Sequence, residues 1–184
     1  MSHPPENPTA RVFFALWPTA LESGALAAWQ TPLKEQCGGR AMRGETLHLT
    51  LVFIGGIVRI RLESLRLAAR EVGAEGFEVW FDRAHYWGRN HIVYAAPDQV
   101  PPGLGQLVGA LERSLADHDF TFDEREHKPH ITLLRNARCA DAELKAMQPV
   151  RWRVKDFALM ESVPQGGMMG YRVLDRFPLK PAGG

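Results

Sequence analysis

The pattern His-apolar-Thr-Leu is written twice in this chain, at His48-Leu49-Thr50-Leu51 and at His130-Ile131-Thr132-Leu133. Each copy alternates apolar and polar residues, which marks a strand with one buried face, because strand side chains change face at every residue. Leu47, Leu49, Leu51 and Phe53 therefore share the core side of the first strand, and His48 and Thr50 stand together on the other. In the second, Ile131 and Leu133 point inward while His130 and Thr132 share the opposite face. Each strand offers an imidazole beside a hydroxyl. A chain bound by this pattern is expected to fold so that the two pairs face each other across a groove.

Two imidazoles suit a reaction in which one oxygen loses a proton and another gains one. An unperturbed histidine pKa near 6.5 lets one ring be neutral while its partner is protonated. Threonine hydroxyls can donate to phosphate oxygens, so one His/Thr pair on each side can clamp and activate a single phosphate. A lone His on a half-buried strand is more often structural, and it is the repetition that favours chemistry. Such an acid-base pair predicts a bell-shaped pH profile around neutrality.

With 184 residues, 45% hydrophobic and 23% charged, the chain fits one globular domain of two lobes sharing a core. No apolar run approaches the ~20 residues of a membrane span, and residues 1–10 lack the basic start and apolar middle of a signal peptide. A cytoplasmic location, without membrane association, is expected. The net charge of +1 gives no global attraction to nucleic acid, so a polyanion has to be held by a local basic cleft. Arginine outnumbers lysine 17 to 5, and its planar fork suits phosphate, although a bias in codon usage explains the skew about as well. Cys37 and Cys139 lack metal-type spacing and read as bystanders, with neither a disulfide framework nor a zinc site.

Along the chain, the first ten residues read as a loose tail. Residues 11–17 read as a buried strand, and 19–36 as one helix capped by Thr19 and closed by Gly38-Gly39. Residues 59–72 and 104–118 carry helical stripes. Residues 77–81 continue as a strand toward His85-Tyr86-Trp87, which turns at Gly88-Arg89-Asn90 into a hairpin partner at 91–96. After the second motif a short helix is expected at 141–147, then a long strand over 151–162 and its return over 169–179. Strands interleaved with helices over two comparable halves, each with one motif, predict an internally duplicated α+β fold. It is a bilobal arrangement with antiparallel sheets lining a central groove and helices outside.

At HLTLVFIG and HKPHITLLR, together with the opening RVFFALWP and the closing LMESV and GYRVLDRFPL, the sequence resembles the 2H phosphoesterase superfamily. The likeness is in particular to its RNA 2',3'-cyclic phosphodiesterases, long called 2'-5' RNA ligases. It spans nearly the whole chain. It implies a bilobal enzyme working without metal or other cofactor, with His48 as proton donor, His130 as proton acceptor, and Thr50 and Thr132 on phosphate oxygens. The implied reaction opens a terminal cyclic phosphate to a 2'-phosphomonoester, with reversible 2'-5' ligation as a second activity. The partners implied are RNA ends bearing that group, tRNA fragments among them, met by a monomer.

Arg135 is a further phosphate-ligand candidate, although strict alternation puts it on the face opposite His130 unless the strand twists or ends first. Tyr171 matches a family tyrosine, with an ordinary hairpin aromatic as the other reading. Trp87 and Tyr94 are candidates for stacking a base, with core packing the alternative for either. Competing functions are a phosphodiesterase acting on 2'-5' linked oligonucleotides or small cyclic phosphates, and a non-catalytic RNA-end-binding module. A metal hydrolase using His48 and His130 together with His85, His91 or His127 is disfavoured by the near absence of ligand spacing.

Overall fold

The computed structural model describes residues 8–140 and 143–183. β1 (Thr9–Leu16) is followed by α1 (Ala20–Ala27), α2 (Gln30–Cys37), a two-residue β2 (Arg40–Ala41), β3 (Leu49–Val58) and α3 (Leu62–Arg70). Next come β4 (Phe77–Phe81), β5 (Arg83–Trp87), β6 (Ile92–Ala96) and α4 (Pro102–Asp117). The chain closes with β7 (Ile131–Arg135), β8 (Val150–Val154), β9 (Asp156–Gln165) and β10 (Met168–Pro178). One antiparallel sheet has the order β10-β9-β1-β3 and a second β2-β7-β6-β5, while β4 and β8 pair separately. The motifs thus fall in different sheets, each His immediately before its strand. The architecture is α+β.

β1 shows why the first sheet has two useful faces. Val12, Phe14 and Leu16 join the main core, which also holds Leu26, Leu65, Leu107 and Leu111 from the helices. Phe13 and Ala15, one residue out of phase, join Ala158 and Met160 in a small cluster on the reverse face, flanked by Trp17, Phe53 and Tyr171. That reverse face carries His48.

Several expectations are corrected. The helix expected over 19–36 is two helices, because Pro32 has no N–H for the Ala28 carbonyl and its ring crowds that turn. Trp29 at the break is buried, and its indole donates to the Gln148 carbonyl at 3.0 Å. The long strand over 151–162 is cut at Lys155, where the chain passes from the β4–β8 pair into the larger sheet. Likewise the strand expected to run on from residue 77 breaks at Asp82 and changes partner from β8 to β6. Of the short helix expected at 141–147, residues 141–142 lie outside the described residues and 143–147 are not helical. The side chain of Gln36 instead takes up the Glu143 carbonyl and the Lys145 N–H, at 2.9 and 3.1 Å. Of the ten residues read as a tail, Thr9 and Ala10 belong to β1, and residues 1–7 lie outside the described residues.

Cys37 and Cys139 are not bystanders. They form a disulfide across 102 residues of sequence. The pairing of Arg40 and Ala41 with Arg135 and Leu134 brings the end of α2 against the segment after β7, where the Arg138 N–H also donates to the Cys37 carbonyl at 2.8 Å. The intervening turn requires Gly39. Its φ is +85°, and a Cβ there would lie 2.7 Å from the Arg135 carbonyl oxygen. No helix among the described residues is long and apolar enough to cross a membrane.

Candidate active site

Both motif strands carry the same irregularity. Along β3, Thr50 pairs with Ala15 and Val52 with Phe14, so Leu51 is an extra residue. Along β7, Thr132 pairs with Tyr94 and Leu134 with Val93, so Leu133 is extra. A bulged residue returns the following positions to the face they would otherwise leave. Leu51 and Val52 are both buried, as are Leu133 and Leu134. Phe53 and Arg135, each three residues after the motif threonine, therefore come back to the groove.

There His48, Thr50 and Phe53 from one sheet and His130, Thr132 and Arg135 from the other line a single cavity of about 350 Å³. Arg11, Phe13, Met42, Thr46, Ser162, Met169 and Tyr171 complete it. Two guanidinium groups, two imidazoles and several hydroxyls face it, and among the described residues no carboxylate does. This is a lining for an anion.

The two imidazoles are braced identically. Nδ1 of His48 bonds the carbonyl of Thr46 at 2.7 Å, and Nδ1 of His130 bonds the carbonyl of Lys128 at 2.7 Å. A carbonyl oxygen only accepts, so each Nδ1 carries its proton permanently and Nε2 is the atom that gains or loses one. Aromatic rings hold both in place. His48 stacks on Trp17 with ring centroids 5.0 Å apart and meets Tyr171 edge-on at 5.0 Å, with Phe13 at 5.3 Å. His130 meets Trp87 at 4.7 Å and Tyr94 at 5.7 Å.

Burial among these rings disfavours the charged form. It lowers the His48 pKa to about 4 and outweighs the Thr46 carbonyl, which acts the other way, while His130 and Arg135 push it further down. His130 is also lowered, by burial first and then by the charges of His127 and Arg135, against the opposing Lys128 carbonyl. Both rings thus favour the neutral form. An anion in the cavity acts against this bias, since opposite charge favours imidazolium.

Of the other candidates from the sequence, Tyr171 lines the cavity and touches His48. Trp87 and Tyr94 back His130, at 4.1 Å from one another, and neither lines this cavity. Trp87 does line an adjoining space of about 760 Å³, which shares Thr50, Phe53 and His130 with the first. His85 stacks on Tyr94, His91 bonds the Tyr86 hydroxyl, and His127 bonds the Thr50 carbonyl. Among the described residues no three His, Cys, Asp or Glu side chains converge as a metal site. Phe53, expected on the core side of the first strand, lies instead on the groove face because of the bulge at Leu51, and Arg11, Phe13 and Trp17 were not singled out from the sequence. Arg11, Phe13, Ala15 and Trp17 share one parity along β1, and the lone arginine in that apolar run was the available sign.

The sequence profile described as the 2'-5' RNA ligase superfamily matches residues 18–165. The chain belongs to that superfamily. This 2H phosphoesterase is 31% identical over 173 residues to the RNA 2',3'-cyclic phosphodiesterase of Escherichia coli K12, covering 92% of this chain and 96% of that one. The protein of the same name from Thermus thermophilus is 29% identical over 190 residues, covering 92% and 90%. Among solved structures, E. coli LigT complexed with 3'-AMP matches with a TM-score of 0.83 at 30% identity, covering 94% of this chain and 99% of that one. The family read from HLTLVFIG and HKPHITLLR is thus shown, and with it the 2H phosphoesterase fold.

Proposed function

We propose that this superfamily member is an RNA 2',3'-cyclic phosphodiesterase, built as one domain of two pseudo-symmetric lobes that close on a single phosphate. The observation that carries the reading is the duplicated brace: in both motifs Nδ1 is tied to the carbonyl two residues earlier, leaving Nε2 to move a proton at one cavity lined by two guanidinium groups and several hydroxyls. Neutral His130 takes a proton from the water that attacks phosphorus in line. Protonated His48 delivers one to the departing 3' oxygen, and the product is a 2'-phosphomonoester. Thr50 and Thr132 donate to the non-bridging oxygens, and Arg135 and Arg11 balance their charge. A 5' hydroxyl in place of water yields a 2'-5' linkage by the same two transfers, which accounts for a ligase activity.

The two related enzymes of that name support the substrate, and the E. coli complex with 3'-AMP supports a nucleotide as ligand. The remaining assignments belong to the same reading. Trp87, which lines the adjoining space, stacks a base, and Tyr94 supports it. The protein works as a monomer in the cytoplasm on RNA ends, tRNA fragments included.

The test is hydrolysis of an oligoribonucleotide ending in a 2',3'-cyclic phosphate, with a metal chelator present and the product isomer identified. A 2'-phosphate is expected. A 3'-phosphate, activity lost to the chelator and restored by zinc, or no turnover overturns the proposal.

A further inference from the structure

Past Arg135 the cavity continues into a space of about 230 Å³. It shares Met42, Thr46, Arg135, Met169 and Tyr171 with the site and adds Arg40, Arg43 and Met168. Among the described residues, three guanidinium groups and no carboxylate line it. Arg40 and Arg135 are register partners across β2 and β7, so like charges lie directly opposite on neighbouring antiparallel strands, which destabilises a sheet. Among the described residues neither has a carboxylate at ion-pair distance. The side-chain contact of Arg40 is the Met168 thioether at 3.5 Å, a weak acceptor. Arg43 is shared between the exposed Glu45 carboxylate at 3.5 Å and the Gln165 amide oxygen at 3.4 Å.

The opposite opening, beside His130, is different. Arg89, Arg125 and Lys128 are matched there by Glu112, Asp123 and Glu126, and Arg125 is already paired with Asp123. Among the described residues, a polyanionic strand leaving the site meets uncompensated positive charge only on the Arg40 side.

We propose that this arginine-lined extension holds the next phosphate of an RNA strand whose cyclic end occupies the active site. The preferred substrate class is then an oligonucleotide end and not a mononucleotide. The inference rests on the cyclic phosphodiesterase reading above. A phosphate lodged between Arg40 and Arg135 converts a repulsive cross-strand pair into two charge-assisted contacts, and Arg43 reaches it from the rim. Met168 and Met169, 44% and 50% exposed, give the neighbouring base a pliable apolar surface.

The experiment compares kcat/KM for a nucleoside 2',3'-cyclic monophosphate and for a short oligoribonucleotide with the same cyclic end, in the native protein and in Arg40→Ala/Arg43→Ala. The native protein should favour the oligonucleotide. The double substitution should cost the oligonucleotide roughly tenfold or more, through KM, and flatten its salt dependence by about one unit of slope per lost contact. Turnover of the monophosphate should be unchanged, and melting should be no earlier, since removing Arg40 relieves a repulsion. Arg40→Gln alone repeats the comparison if the double variant melts early. Equal losses on both substrates, unchanged oligonucleotide kinetics, or no native preference for the oligonucleotide overturns the subsite. Native protein that turns over neither substrate overturns the cyclic phosphodiesterase reading and the subsite with it, an outcome distinct from the other three.

Discussion

The ring of His127 donates through Nε2 to the carbonyl of Thr50 at 2.9 Å, tying the approach to the second motif onto the strand of the first. The Asp123 N–H does the same to the Phe53 carbonyl at 2.9 Å. The spacing of the two imidazoles is therefore fixed by hydrogen bonds between the motif segments themselves. A hydrogen bond of this kind is worth ~0.5–1.5 kcal/mol, so His127→Ala should lower kcat by roughly tenfold at most while the protein stays folded. His127→Gln, whose amide can still donate, should recover most of that loss. With the charge of His127 gone, the His130 pKa rises and the limb of the pH profile that His130 sets moves up. Steady-state kinetics and circular dichroism check this, and an unchanged kcat in His127→Ala would show that the tie positions nothing.

The pH profile should be bell-shaped, displaced below the neutral centre that unperturbed histidines imply. The profile of kcat/KM reports the free enzyme, where both rings titrate below their ordinary value and His48 near 4. Its maximum should lie on the acid side of neutrality. The profile of kcat reports the bound state, where the phosphate charge favours imidazolium and raises both pKa values, so its maximum should lie at higher pH. Coincident profiles, or a rate climbing steadily into alkali, would contradict the two-histidine account.

Breaking the Cys37–Cys139 disulfide should cost stability without abolishing the fold, since the β2–β7 pairing and the Arg138 bond to Cys37 remain. A bridge closing so long a loop is worth ~2–4 kcal/mol, or a fall of roughly 5–15 °C in Tm for a domain of this size. Cys37→Ala/Cys139→Ala should melt with the reduced native protein and below the oxidised one. Equal melting of all three would show that the bridge does not form in solution.

What the sequence disclosed and what it hid follow from the same strands. Alternation around His48 and His130 is a side-chain pattern, so the shared faces of His48 with Thr50 and of His130 with Thr132 were legible. A bulge is a property of pairing, and nothing in Leu51-Val52 or Leu133-Leu134 marks one, so strict alternation puts Phe53 on the core side and Arg135 on the wrong face. The disulfide depends on two distant segments meeting through Arg40 and Arg135, which no cysteine spacing encodes. Pro32 did announce the helix break. Lys155 carries no such sign, because where a strand leaves one sheet for another is decided by its partners.

The most direct test is the turnover of a cyclic-phosphate-ended oligoribonucleotide by His48→Ala, His130→Ala, both together, Thr50→Val and Thr132→Val, each shown folded by circular dichroism and melting. Proton transfer by a positioned side chain contributes about 10² to 10⁴-fold, so each single histidine variant should lose kcat on that scale. The double variant should be little worse than the poorer single one, because the two rings act as a unit. The threonine variants should be impaired less than either histidine variant. A folded His48→Ala or His130→Ala that kept near-native turnover would contradict the account, and the duplicated motif would then be structural.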